Sequence, residues 1–349
     1  MADHSSPYLD LEGAVPDESG DRAWHFGQPL REQRTALESG AILDRSDRHI
    51  ITVSGEPRLA WLHSLATQHV EKLPAHSGTE LLVLTPKGRI EHHAGMYDDG
   101  SVSWLDVAAS DAEAFLRFLT MMRFRTEVEI EDVTDRFALV VYTKGRPGLE
   151  LDAPRVNPVP EAKFAARDLA AESTSLYHGA ATENGWARRT DSTAEGTADV
   201  LVPRDALPTD QPVAGTWADD ALRIAAGSPL FGSDTDGKTV PHEVHPWLAR
   251  AVHLDKGCYR GQETVSKVHH LGQPPRRLVR LHLDGSEETP PTPGTPVVLG
   301  EKEVGAIGTA AQHADEGIIA FALLKRVAAD EADAAYKVGD QNATGEEAR

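Results

Sequence analysis

Cys258 is the only cysteine among 349 residues, and it lies in Lys256-Gly257-Cys258-Tyr259-Arg260-Gly261-Gln262-Glu263. That setting suits chemistry better than packing. Glycines on both sides let a partner approach the backbone closely. Lys256 and Arg260 carry positive charge that favours a thiolate over a thiol. A cysteine used as a small hydrophobe sits more often in an apolar run. The pattern predicts an accessible thiol able to attack, to carry a one-carbon or sulfur group, or to ligate iron transiently. Between His253 and His282, six cations (Lys256, Arg260, Lys267, Arg276, Arg277, Arg280) stand against Asp255 and Glu263. This local positive excess is either a solvated face or a site for an anionic ligand.

The rest of the chain is acidic, with 55 Asp/Glu against 35 Lys/Arg and a net charge of −20. Such a surface disfavours nonspecific nucleic-acid binding. The length suits two or three domains, and 40% hydrophobic with 26% charged residues is ordinary for a globular protein. One cysteine excludes an internal disulfide. The acidic stretch up to Gly20 does not read as a secretory signal, and no apolar run approaches the roughly 18 residues of a membrane span. The expectation is a cytoplasmic protein with no membrane segment and no stable nucleic-acid complex.

The elements that must position the motif follow from periodicity. Residues 1–25 and 337–349 are polar and aperiodic, and are read as flexible tails. A helix is expected from Pro29, then strands over 41–43 and 49–53 and a helix over 57–67. Strands over 80–85 and 89–96 flank the turn Pro86-Lys87-Gly88, and another covers 102–107. Ser110 with Glu113 predicts a capped helix whose stripe is Phe115, Leu116, Leu119 and Met122. Strands follow at 128–130 and 137–142. The stretch 144–197 has no clear period. A short strand at 198–202 precedes a second capped helix opened by Thr216 with Asp219 and ended by Gly227. A helix over 263–270 follows the motif. Alternating segments at 278–283, 296–299, 304–310 and 318–324 predict a small β-barrel.

The motif identifies a resemblance. Lys256-Gly257-Cys258-Tyr259-x-Gly261-Gln262-Glu263 resembles the signature of the YgfZ-type folate-binding proteins, relatives of the glycine-cleavage T-protein (aminomethyltransferase). Leu222-Arg223-Ile224-x-x-Gly227-x-Pro229-x-x-Gly232-x-Asp234, followed by Pro241-x-Glu243, is similar to a segment of both groups. The resemblance spans roughly residues 30–335 and is sharp over 222–271. It implies an α+β fold: a three-domain T-protein-like ring around a central hole, ending in a small β-barrel. The implied division is a folate-binding region over 26–270, with two α+β subdomains (about 49–135 within the first), and a barrel over 271–336. The implied cofactor is tetrahydrofolate or a one-carbon derivative. The implied role is support of iron–sulfur cluster assembly or repair in client proteins, and thereby of tRNA thiolation, with Cys258 as the working thiol, facing the folate cavity.

The same resemblance assigns a binding set. Arg223 would meet the carboxylate side of folate, where a guanidinium fork suits bidentate pairing. Asp234 and Glu243 would pair with pterin N–H groups. Lys256 and Arg260 would hold folate's anionic tail or the thiolate, with Tyr259, Gln262 and Glu263 beside them. For Glu263 the alternative is an acid complementing a helix dipole. The chain departs from the T-protein at Gly88-Arg89-Ile90-Glu91-His92-His93, where a paired acid is replaced by the single Glu91. Glu183-Asn184-Gly185-Trp186 is the nearest surrogate for a second T-protein loop. A one-carbon transferase, or an RNA- or client-binding module using the basic island, are the rival readings, and it is open whether the protein is an enzyme. His92-His93, His269-His270 and His242-x-x-His245 lack the regular spacing of a zinc motif, so no metal site is expected.

Overall fold

The computed structural model describes residues 5–156, 175–331 and 334–348. Short strands β1 (Val15–Pro16) and β2 (Ala23–His25) precede α1 (Pro29–Glu38), β3 (Ile42–Arg45), β4 (His49–Ser54) and α2 (Arg58–Leu65). Next come β5 (Ser77–Leu84), β6 (Ile90–Asp98), β7 (Val102–Val107), α3 (Ala109–Arg123), β8 (Glu129–Asp132) and β9 (Phe137–Tyr142). The middle of the chain holds β10 (Tyr177–Thr182), β11 (Gly185–Arg189), β12 (Ala198–Pro203), β13 (Val213–Ala214), α4 (Thr216–Ala225), α5 (His245–Ala251) and α6 (Gln262–Leu271). It ends with β14 (Arg276–Leu283), β15 (Pro296–Leu299), β16 (Lys302–His313), β17 (Gly317–Lys325), α7 (Arg326–Ala329), β18 (Tyr336–Val338) and β19 (Gln341–Glu347).

Among the described residues, eleven strands form one sheet in the order β13-β3-β9-β12-β11-β10-β5-β6-β7-β4-β8. β5 lies near its middle and is buried along almost its whole length, which explains its dense Leu/Val run. The last six strands close a barrel in the order β14-β17-β16-β15-β18-β19. The α+β fold with a C-terminal barrel is therefore as expected.

A core shared by the two parts determines where the motif sits. Leu82 and Leu84 of β5, Ile224 of α4, Trp247 and Leu248 of α5, and Leu278, Ile319 and Phe321 of the barrel pack together with Tyr259 and Val265. Each large apolar side chain withdrawn from water here contributes about 1.5–3 kcal/mol. The hairpin turn between β5 and β6 meets the motif at Gly261. That residue has φ 82°, and a Cβ on it would come 2.6 Å from the Thr85 carbonyl oxygen. Only glycine fits there.

Several expectations are corrected. Residues from Ser6 to His25 are not a loose tail: Tyr8 is buried and its hydroxyl donates to the Pro208 carbonyl at 2.6 Å, and Trp24 stacks on Trp217 at 4.8 Å. At the other end β18 and β19 complete the barrel, since β19 pairs with both β14 and β18. Their alternating burial carries the strands despite a polar composition. Ser110 lies inside α3, whose N-cap is Ala108, and α4 is capped by Gly215 rather than Thr216. A Cβ at Gly215 would sit 2.2 Å from the Trp24 carbonyl oxygen, so the packed N-terminal segment dictates that cap. The aperiodic stretch 144–197 contains β10 and β11, while 157–174 lies outside the described residues.

Deletion of residues 341–349 is expected to open the barrel and uncover the face of β14. Loss of the cooperative thermal transition, with new binding of a hydrophobic dye, is the measured outcome. An unchanged melting curve would show that the last strand is dispensable.

Candidate functional site

The motif loop is pinned on both sides of the sulfur. Lys256 is buried, and its ammonium donates to the carbonyls of His63 at 2.5 Å, Ala66 at 2.6 Å and Gln68 at 3.2 Å. Its Nζ also lies 5.2 Å from the Tyr259 ring centroid. Burial pushes this lysine down to about 7, against which the three carbonyl acceptors favour its charged form. Tyr259 is buried in the shared core, and burial raises its phenol. The Gln262 side-chain amide donates to the Lys256 carbonyl at 3.0 Å. Gly257 and Cys258 are left exposed between these anchors. The accessible thiol is as expected, but its surroundings are not. Lys256 spends its protons on backbone carbonyls. Arg260 binds Glu91 at 2.7 Å and lies 5.7 Å from the Phe118 ring.

Four of the six cations of the basic island, Arg260 among them, are paired with carboxylates remote in sequence. Arg276 binds Asp236 and Glu243, Arg277 binds Asp330 and Glu347, and Arg280 binds Glu346. A count along the chain could not see these pairings. Glu263 is exposed in the first turn of α6, where it complements the helix dipole.

A separate cleft opens where the large sheet meets α4 and α5. Its walls are Arg45, Arg48, Arg188, Arg223 and Arg250, with Glu80, Asp106 and Asp199 as the acids and His93, Tyr177 and Trp247 as the rings. The cavity is about 70 Å³, well below the roughly 300–1,000 Å³ that drug-sized ligands take, so in this arrangement it admits one group of such a ligand rather than the whole. Asp106 accepts from Arg48 Nε at 2.7 Å and from Arg188 Nη2 at 2.5 Å, and Arg188 Nη2 also reaches Asp199 at 2.9 Å. Burial alone would raise Asp106, but the two guanidiniums hold it far below the usual carboxylate range. Gly95 is required here, because a Cβ would collide with both Asp106 and Arg188.

Arg223 lines this cleft, and it arrives already held. Its Nε donates to Asp220 at 2.8 Å and its Nη1 to Asp234 at 2.9 Å. Two buried guanidinium nitrogens on the cleft, Arg223 Nη2 and Arg188 Nη1, have no hydrogen-bond partner. Unpaired buried donors cost about 1–3 kcal/mol each, more when charged, so an acceptor group brought by a ligand would be favoured there.

Other members of the expected set lie elsewhere. Asp234 accepts from Arg223, from Leu230 N at 2.7 Å and from Thr309 N at 2.8 Å, which ties the loop after α4 to the barrel. Glu243 accepts from Val240 N and from Arg276. Both are structural carboxylates outside the central cleft, because their oxygens are taken by backbone amides and guanidinium groups. The expectation of one shared pocket is corrected: the loop of Cys258 is held by Lys256 at the carbonyls of His63, Ala66 and Gln68, none of which borders the cleft, and Cys258, expected to face the folate cavity, does not line the cleft either. Tyr177 and Arg188, which do, belong to β10 and β11 and were missed. The two-residue turn Glu183-Asn184 before Gly185 was the available hairpin signal.

Glu80 shows how the cleft is held at neutral pH. Burial would raise its carboxyl, but the His93 hydrogen bond at 3.0 Å, the Arg250 charge and the Tyr177 hydroxyl bring it down to about 2. Its folded value lies below the ordinary 4.5, so its contribution is present above pH 4.5 and is lost as pH falls toward about 2. Unfolding free energy followed by denaturant titration across that window is expected to fall less steeply in Glu80→Gln than in the unaltered protein. Identical slopes would remove Glu80 as a source of acid sensitivity.

No protein-family model matches the chain. An aminomethyltransferase of Stenotrophomonas maltophilia is 29% identical over 289 residues, 76% of this chain and 72% of that protein. An iron–sulfur cluster assembly factor IBA57 homologue of Aspergillus clavatus is 25% identical over 322 residues, 81% and 68% of the two chains. The tRNA-modifying protein YgfZ of Colwellia psychrerythraea is 24% identical over 244 residues, 69% and 71%. Matches of this kind span between 59% and 73% of the relatives' own lengths. The crystal structure of glycine cleavage system aminomethyltransferase T from Bartonella henselae superposes with a TM-score of 0.76 at 16% identity, covering 97% of this chain and 94% of that one. The chain is thus similar in sequence to proteins named YgfZ, IBA57 and aminomethyltransferase, and it has the aminomethyltransferase fold.

Proposed function

We propose that this protein is a cytoplasmic, tetrahydrofolate-binding accessory factor that supports iron–sulfur cluster assembly or repair in client proteins, and through them tRNA thiolation. The observation that carries the reading is the pair of unpartnered guanidinium nitrogens, Arg223 Nη2 and Arg188 Nη1, on a cleft that the fold builds between sheet and helices. A folate derivative offers carbonyl and carboxylate oxygens to such donors and a ring to lie near Trp247 and Tyr177. The relatives named for iron–sulfur assembly and tRNA modification support the client side. Within this reading, ligand capture and thiol chemistry occupy different places. The cleft holds the folate, and the exposed Cys258 meets a client protein.

The transferase rival is weakened by what the acids already do. Glu80, Asp106 and Asp199 are each bound to a cation, a histidine or a tyrosine, and Glu91 is paired with Arg260. The nucleic-acid rival loses the four arginines of its basic island to Glu91, Asp236, Glu243, Asp330, Glu347 and Glu346.

Calorimetric titration with tetrahydrofolate or its stable 5-formyl derivative tests the reading. Arg223→Lys keeps a cation for Asp220 and Asp234 but removes the free nitrogen, and is expected to bind ~10-fold more weakly, a loss of about 1.4 kcal/mol. Cys258→Ala is expected to bind as tightly as the unaltered protein while failing to restore client activity in cells. No detectable binding by the unaltered protein would end the folate proposal. An affinity loss in Cys258→Ala equal to that in Arg223→Lys would end the separation of thiol from cleft.

A further inference from the structure

Three side chains that neither the cleft nor the thiol uses converge beyond the C-terminal end of α2. His63 occupies the last turn of that helix, and His69 and Glu71 follow in the segment leading toward β5. One imidazole nitrogen of each histidine and one carboxylate oxygen of Glu71 lie within 4.8 Å of one another. The two rings meet edge to face, with centroids 4.6 Å apart. Nδ1 of His63 is buried and has no hydrogen-bond partner. From this geometry we infer that His63, His69 and Glu71 form a binding site for a divalent transition-metal ion, independent of the folate reading.

The donor chemistry selects the class of ion. Two imidazoles and one carboxylate with open positions are the ligand set of catalytic zinc and of non-haem ferrous sites. Metal–ligand bonds of about 2.0–2.2 Å place neighbouring donors roughly 3.3 Å apart, so the three side chains draw together slightly to close on an ion, and the exposed Glu71 is free to follow. The backbone beneath is fixed. The Thr67 hydroxyl donates to the Ala251 carbonyl at 2.6 Å, and Gln68 Nε2 donates to the Arg250 carbonyl at 2.7 Å. His253 N reaches the Thr67 carbonyl at 3.0 Å, and Lys256 bridges the carbonyls of His63, Ala66 and Gln68. A site on so tightly held a segment loses little ordering entropy on binding. The Lys256 charge works against a cation, and the Glu71 carboxylate offsets it.

The test uses the full-length protein, stripped with chelator and titrated with Zn²⁺ by calorimetry and with Co²⁺ by visible absorption. Saturable binding of one equivalent, with ligand-field bands of four- or five-coordinate cobalt, is expected. Glu71→Gln, an exposed change that leaves packing intact, and His69→Ala are each expected to weaken binding ~10-fold or more. His242→Ala, which alters a histidine elsewhere in the chain, is expected to leave it unchanged. Absence of one-equivalent binding by the unaltered protein, or binding by Glu71→Gln and His69→Ala as tight as that of the unaltered protein, would overturn the site.

Discussion

A buried ammonium organises the region around the motif. Lys256 gives up hydration to place its charge against three carbonyls at and beyond the end of α2. Those carbonyls lie at the negative end of the helix, where a cation is favoured. Removing this charge would leave three acceptors unpaired in a buried place, and removing the carbonyls would strand the charge. The contact joins residues almost 200 positions apart. It fixes the segment carrying His63 and His69 and the loop carrying Cys258 in one arrangement.

The same economy explains why so many cations of an acidic protein are not available to a ligand. Arg45, Arg48, Arg188 and Arg223 each meet a buried or partly buried carboxylate. Breaking such a pair by removing one partner typically costs about 3–5 kcal/mol, because the other charge is left uncompensated. The network is therefore rigid, and it leaves over only the nitrogens that no carboxylate can reach. Arg223 Nη2 and Arg188 Nη1 are such remainders, and both arginines line one cleft. Preorganised donors of this kind bind an acceptor without reorganising at the moment of contact.

What the sequence made legible was what depends on local pattern. The barrel strands announce themselves by alternation, α2 and α4 by helical spacing, and the cysteine by its glycines and flanking charges. Pairings made across the fold were not legible. Nothing near Arg276 in sequence indicates that Asp236 and Glu243 will claim it, and nothing near Lys256 indicates the carbonyls of α2. Charge along the chain was consequently mistaken for charge on the surface. The caps at Ser110 and Thr216 failed for a related reason. The α4 start is decided by Trp24, which packs so close to Gly215 that no side chain fits.

Histidine illustrates the same limit from the other side. The adjacent pair His92-His93 is divided between two acids, His92 on Asp111 at 2.7 Å and His93 on Glu80. His63 and His69 are six residues apart, across a helix end, and no helical or strand period relates them. They meet because the chain turns sharply after Leu65, and Thr67 is drawn between Leu82 and Ala251 by its hydroxyl and amide. A threonine that makes no ligand contact thus determines whether two imidazoles can act together. The chemistry of this surface is set by residues whose own side chains do none.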